Sequence, residues 1–146
     1  MEAEEHYRRL ERMYLAAPIN CIYEPSIKIS EGRAEIEIPL SEKYHHSAGG
    51  VHGSVYFKML DDAAFFAANS LEGSVFVLTT SFTTYLTRPV ALGSMKSVGH
   101  VVNQNKSQFI VESVVWDSEG REIGRGNGLM VRGKHPLATA LGYSDD

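Results

Sequence analysis

The chain reads as an α+β domain, one long helix packed against a curved antiparallel sheet of about five or six strands. Two observations predict this. Residues 55–70 are apolar on nearly every side, as in a helix that is wrapped rather than laid on a surface. Around them lie several short segments rich in β-branched and aromatic residues, separated by turn-forming clusters.

Taken in order, residues 4–17 carry helix formers with Tyr7, Leu10, Met13, Tyr14 and Ala17 on one side, and Pro18 stops them. Residues 22–29 and 32–40 flank Ser30-Glu31-Gly32, and Ala34, Ile36 and Ile38 alternate with Glu35 and Glu37, so a hairpin wet on one face is expected. The long helix follows at 55–70. Residues 75–86 form the next strand, with Phe76, Leu78, Phe82 and Leu86 expected on one face and Thr79, Ser81 and Thr83 on the other. Residues 94–102 and 107–116 bracket Asn103-Gln104-Asn105-Lys106, and 122–131 follow Asp117-Ser118-Glu119-Gly120, giving three more antiparallel strands. From Gly133 the pattern lapses, and an irregular, frayed tail is expected. The division is thus an N-terminal helix over 1–19, the main domain over 20–134 and a tail over 135–146.

Length and charge narrow the function. A chain of 146 residues suits one domain that buries roughly 68% of its extended surface. The net charge is −4 without a long basic run, which argues against a nucleic-acid groove or an anionic membrane surface. Cys21 is the sole cysteine, so neither an internal disulfide nor a cysteine-rich metal site can form. The acidic start Met1-Glu2-Ala3-Glu4-Glu5 is no secretory signal and no apolar run is long enough to span a membrane, so a cytoplasmic location is expected. His45, His46, His52 and Asp61 share no ligand spacing, and no metal is expected. Trp116, His100 and Cys21 read as packing residues.

One carboxylate stands out. With Asp61 at zero on a helical wheel, Ala68 falls near −20°, Phe57 near −40° and Phe65 near +40°, so Asp61 lies in an apolar stripe. A charge there needs pairing, neutralisation or use. Either it caps backbone or it does chemistry, and chemistry is the reading adopted. Asp62 differs: with Lys58 and Asn69 it belongs to the helix's polar arc, and with Lys58 it makes an i,i+4 pair suited to the surface. Before the helix, Ser47-Ala48-Gly49-Gly50 and His52-Gly53-Ser54 are small enough for a ligand to approach the backbone. The first amides of a helix lack internal partners, so those of Gly53 and Ser54 can hold an oxygen that gains negative charge.

His46, then Gly50-Val51-His52-Gly53-Ser54, then Asp61 resembles the signature N/Q-x-x-x-G-x-H-G-G … D/E of the hotdog-fold acyl-CoA thioesterases of the PaaI-like, phenylacetate-pathway type. The spacing from histidine to acid matches. Tyr85-Leu86-Thr87-Arg88-Pro89 is similar to the ending of the family's next strand, and the resemblance covers roughly residues 20–134. Ser54 replaces the second glycine, and His46 stands where the family has Asn or Gln. An imidazole can donate as an amide does, though its protonation would make that donation pH-sensitive.

The resemblance implies the hotdog wrapping of sheet around helix and a site shared between two subunits of a homodimer or homotetramer. It implies an acyl-CoA substrate, with coenzyme A entering as part of it and no separate cofactor. Gly53 N–H, with His46, would polarise the thioester carbonyl. Asp61 would be general base or nucleophile, Thr79 would orient water, and His52 would hold the turn or meet the leaving thiol. Arg88, Lys106, Arg132 and Lys134 are candidates for the coenzyme A phosphates. Phe57, Phe65, Phe66 and Tyr56 are candidates to line the acyl pocket. Two alternatives share the scaffold: an acyl-CoA binding protein without turnover, and a hydratase or dehydratase in which a histidine and a carboxylate share proton transfer.

Overall fold

The computed structural model describes residues 1–144. Its elements are α1 (Ala3–Ala16), a short α2 (Asn20–Tyr23), β1 (Ser26–Ser30), β2 (Arg33–Pro39), α3 (Gly53–Asn69), β3 (Val75–Leu86), β4 (Ser94–Gln104), β5 (Gln108–Asp117) and β6 (Glu122–Pro136). The strands make one six-stranded sheet in the order β1-β2-β4-β5-β6-β3, antiparallel at every pairing. α3 lies against the sheet, touching β2, β3, β4 and β5, and this is the expected hotdog arrangement.

The contact between helix and sheet is close because of Gly99 on β4. A Cβ there would lie 2.4 Å from the carbonyl of Ala63. On either side, Ser97 Oγ donates to the Met59 carbonyl at 2.7 Å and Ser113 Oγ donates to the Leu60 carbonyl at 2.9 Å, so these buried sheet hydroxyls are satisfied by the helix backbone. Ile36, Met59, Leu60, Met95 and Ile123 fill the space between and are fully buried. The other end of the sheet is covered by α1. Arg8 donates to the Ile29 carbonyl and Glu11 accepts from the Ile29 N–H, which occupies backbone groups of the edge strand β1. β3, at the opposite edge, has no neighbour on its outer side among the described residues.

Four expectations are corrected. The hairpin's first strand begins at Ser26, not at 22. Residues 20–23 coil into α2, Glu24 closes the turn at φ +53°, and Pro25 supplies no N–H for further helix. The two faces expected for β3 do not persist, because its register against β6 shifts between Thr79 and Ser81. Val77 and Thr79 therefore face the helix before the shift and Phe82 and Thr84 after it, while Leu78 and Leu86 are exposed.

The tail is not frayed where it is described. β6 continues to Pro136, and Leu137 and Tyr143 are buried. The Tyr143 hydroxyl meets His6 Nδ1 at 2.8 Å, and His6 Nε2 donates to the Asn69 carbonyl at 2.8 Å, tying both chain ends to the end of α3. The last two residues of the tail, 145 and 146, lie outside the described residues. Finally, Cys21 and His100 are exposed rather than packed, and Trp116 is half-buried. Cys21 sits on the short α2 turn, and the His100 side chain points away from the helix on β4, opposite to Gly99.

Candidate active site

Asp61 sits two turns into α3, partly buried, on the side of the helix that faces β3. Thr79, turned inward just before the shift in register, donates its hydroxyl to Asp61 Oδ1 at 2.8 Å. The Thr79 hydroxyl oxygen also lies 3.1 Å from the sulfur of Met130, so one hydroxyl proton has two acceptors, the carboxylate being the stronger. Burial raises the Asp61 pKa above the ordinary carboxylate value. The Thr79 hydrogen bond opposes this, Asp62 adds to it, and Lys58 opposes it. The balance is a carboxylate held at higher basicity than a solvated one.

Asp62 is not the simple surface partner expected. It accepts from the Tyr14 hydroxyl at 2.7 Å and pairs with Lys58. Lys58 also donates to Asn20 Oδ1 at 2.8 Å and lies over the rings of Tyr14 and Tyr23. Burial, with Asp62 alongside, pushes the Tyr14 phenol far above its usual range. Asn69, placed with these residues in the polar arc, is fully buried instead. Its amide donates to the Glu72 and Val75 carbonyls and accepts from the Val77 N–H, fixing the turn into β3.

The glycine-rich segment is held as firmly. His52 is the N-cap of α3, and its Nδ1 accepts from the Ser54 N–H at 3.0 Å. The Ser54 amide is thus engaged by the cap. Gly53 N–H has no acceptor among the described residues and remains the one free donor of the expected pair. The preceding loop is pinned by Val51 N–H to the Val90 carbonyl, His52 N–H to the Tyr44 carbonyl and Tyr56 hydroxyl to the Arg88 carbonyl, each at 2.9 Å.

His46 Nδ1 accepts from the Ala48 N–H at 3.1 Å. That bond leaves the ring proton of the neutral imidazole on Nε2, so Nε2 is a donor, as the amide of Asn or Gln would be. His46, Gly53, Tyr56, Leu86 and Arg88 line one cavity of about 330 Å³. Asp61 and Thr79 line another, of about 380 Å³, with Phe65, Phe66 and Phe76. His52 and Ser54 border a third.

Within one chain, then, the structure joins Asp61 to Thr79 and His46 to Gly53 but does not join the two pairs. Asp61 lies eight residues along the helix from Gly53, about 12 Å of rise. Among the phosphate candidates, Arg88 shares the cavity of Gly53. Arg132 is bound to Glu72 and to the Asn105 and Lys106 carbonyls, and packs over Phe109. Of the pocket candidates, Phe65 and Phe66 line the Asp61 cavity, Tyr56 lines that of Gly53, and Phe57 is exposed. Among the described residues no group of three or more His, Cys, Asp or Glu is placed to hold a metal ion, and no helix is long and apolar enough to cross a membrane. No local pattern signals Tyr14, Asn20 or Met130 near Asp61, since each comes from a distant segment.

Comparison with known proteins agrees with this fold. The E. coli PaaI protein from the phenylacetic acid degradation operon superposes with a TM-score of 0.83 at 17% identity, over 92% of this chain and 97% of that one. A thioesterase family protein from Silicibacter pomeroyi gives 0.78 at 23% identity, over 87% and 99%. In sequence, a Saccharolobus solfataricus protein that carries a provisional esterase name is 21% identical over 118 residues, 81% of each chain. The model of the thioesterase superfamily matches residues 48–123, more than half of the chain and the stretch that holds Gly53, Asp61 and Thr79. The chain belongs to the thioesterase superfamily.

Proposed function

We propose that the protein hydrolyses acyl-CoA thioesters in sites shared by two subunits. The observation that carries this reading is the partly buried Asp61 carboxylate, held by Thr79 at the rim of a largely apolar cavity, with the free Gly53 amide out of its reach in the same chain. A second copy closes that gap. β3 is an unpartnered edge strand with Leu78, Tyr85 and Leu86 exposed along it, a surface suited to pairing with its own copy about a two-fold axis. The assembly is a dimer, alone or paired into a tetramer.

In each site Gly53 N–H of one subunit, with His46 Nε2, receives the thioester oxygen as it becomes an oxyanion. Asp61 of the other takes a proton from water as that water attacks the carbonyl carbon. Collapse of the tetrahedral species breaks the carbon–sulfur bond, and the departing thiolate recovers the proton from Asp61. Thr79 fixes one carboxylate oxygen and leaves the other for water. The products are a free acid and coenzyme A, and no further cofactor enters. A nucleophilic Asp61 would pass through an anhydride instead, and ¹⁸O appearing in the Asp61 carboxylate after single turnover in ¹⁸O-water would mark that route, with water opening the anhydride at the Asp61 carbon. Arg88, which shares the cavity of Gly53, would meet a coenzyme A phosphate.

The test is release of free thiol from acyl-CoAs by wild type and Asp61→Asn. Wild type turns over, and the variant loses about 10² or more in kcat. Equal turnover by the two proteins removes Asp61 from the mechanism. Binding without turnover would favour a carrier, and a hydrated enoyl product would favour a lyase.

A further inference from the structure

Of the residues lining the cavity beside Asp61, about half lie outside the stretch matched by the superfamily model. Met13, Tyr14, Ala17 and Ile19 come from the end of α1 and the turn after it, and Ala140 and Leu141 from the C-terminal segment. Phe65, Phe66 and Phe76 form the opposite wall. The cavity is thus a cleft between the domain's central helix and the two chain ends, with the proposed reacting group, Asp61, on its rim.

Its chemistry selects among acyl groups. Apart from Asp61 and Thr79, the polar side chains that line it are bound to one another or to backbone: Tyr14 hydroxyl to Asp62, Lys58 to Asp62 and Asn20, and Asn20 Nδ2 to the Tyr14 carbonyl at 2.7 Å. A hydroxylated or charged acyl group would be buried there against partners already taken, at a cost in affinity. Size points the same way. At about 380 Å³ the cavity is well over twice the roughly 150 Å³ that holds one benzene ring, and a short acyl group would leave most of it unfilled. At roughly 30 Å³ per water-sized group it accommodates about a dozen. Ile19 and Leu141, both exposed, stand at its mouth.

We infer that the two chain ends build the acyl pocket, and that it takes aliphatic acyl groups of medium length, about eight to twelve carbons. This rests on the thioesterase reading for turnover but not for binding. The Lys58–Asp62–Tyr14 cluster is the strut that holds the α1 wall against α3 at the position next to Asp61.

Two measurements test it. The first is kcat/KM over butanoyl-, octanoyl-, decanoyl-, hexadecanoyl- and phenylacetyl-CoA. The second is calorimetric binding of the non-hydrolysable thioethers S-butyl- and S-decyl-CoA, which reports on the pocket even if no thioester is cleaved. Each buried methylene contributes a factor of up to about four, so S-decyl-CoA is expected to bind at least about thirtyfold more tightly than S-butyl-CoA. Ala17→Trp and, at the exposed mouth, Leu141→Trp are each expected to lower the decanoyl-to-butanoyl ratio at least about tenfold in both measurements, with melting curves confirming that the variants fold. Equal binding of the two thioethers, a preference for butanoyl- or phenylacetyl-CoA, or ratios unmoved in both folded variants would overturn the inference. Tight chain-length-dependent binding without turnover would uphold it and reject only the hydrolytic reading.

Discussion

Asp61 occupies a position that the fold by itself would not choose for a charge. Its pKa is raised in the folded protein, chiefly by burial, so folding favours the neutral acid. The sign of the linkage follows: relative to a residue that does not titrate, Asp61 is tolerated fully below its unfolded pKa and opposes folding as pH rises through its folded pKa. Asp61→Asn, which keeps an acceptor for Thr79, should therefore melt above wild type at pH 8 while its turnover falls. The difference should vanish near pH 3, as followed by calorimetry. A lower melting temperature for the variant at pH 8 would mean that the ionised group is a structural asset. Thr79 acts in the other direction, since its hydrogen bond favours the carboxylate. Thr79→Val should move the acid limb of the kcat/KM profile to higher pH and lower kcat by about tenfold, the scale of one charge-assisted hydrogen bond. An unmoved limb would leave the hydroxyl with a packing role only.

At the scale of elements, α3 is set by its two ends and its middle. His52 caps the start, Asn69 and Ser70 organise the finish, and Gly99 admits the centre of the helix to the sheet. The last of these is the most exacting, because the atoms that a Cβ would meet are backbone atoms of Ala63 and Ala64 and cannot swing aside. Gly99→Ala is expected to cost about 1–3 kcal/mol by overpacking, read as a lower urea midpoint. Little change in the midpoint would show that β4 and α3 can separate freely. The helix's placement also fixes the site, because Asp61 follows Leu60, whose carbonyl is bound to Ser113 on the sheet. The sheet contributes through a defect: the shift in register after Thr79 lets that hydroxyl and Phe82, three residues on, both face inward. Simple alternation from Phe76 through Leu86 is blind to such a shift, which is why the sequence placed Leu78 on the same face as Phe82.

At the scale of the molecule, the proposed dimer makes a quantitative demand. Gly53 begins α3, where proline is well accepted, and His52 before it has the extended backbone that a following proline requires (φ −62°, ψ 142°). Gly53→Pro thus removes the amide hydrogen with little disturbance of the helix, the one atom a Cβ would crowd, Leu86 Cδ1 at 3.0 Å, being the end of an exposed side chain that can give. Alone, Gly53→Pro and Asp61→Asn should each be nearly inactive. Unfolded together and refolded as an equal mixture, they should regain about a quarter of wild-type activity, since half the dimers are then mixed and each mixed dimer holds one intact site of two. No recovery, with mixed dimers verified by mass spectrometry, would place the whole site within one subunit.

The sequence alone was enough to specify the central helix and the strand order along the chain, and it singled out the Gly53 amide and the Asp61 carboxylate as the candidates for chemistry. These depend on period, turn residues and local spacing, which are short-range properties. It also showed that Asp61 and Asp62 differ, because one sits among apolar residues and the other beside Lys58. Tertiary structure decided what lies beside them: Tyr14 on Asp62, Met130 near Thr79, the chain ends along the cavity, and Cys21 and His100 at the surface. Contacts between segments 40 to 140 residues apart leave no periodic trace in either segment. Burial of Asp61, from which its raised pKa follows, exists only once those segments have packed around it.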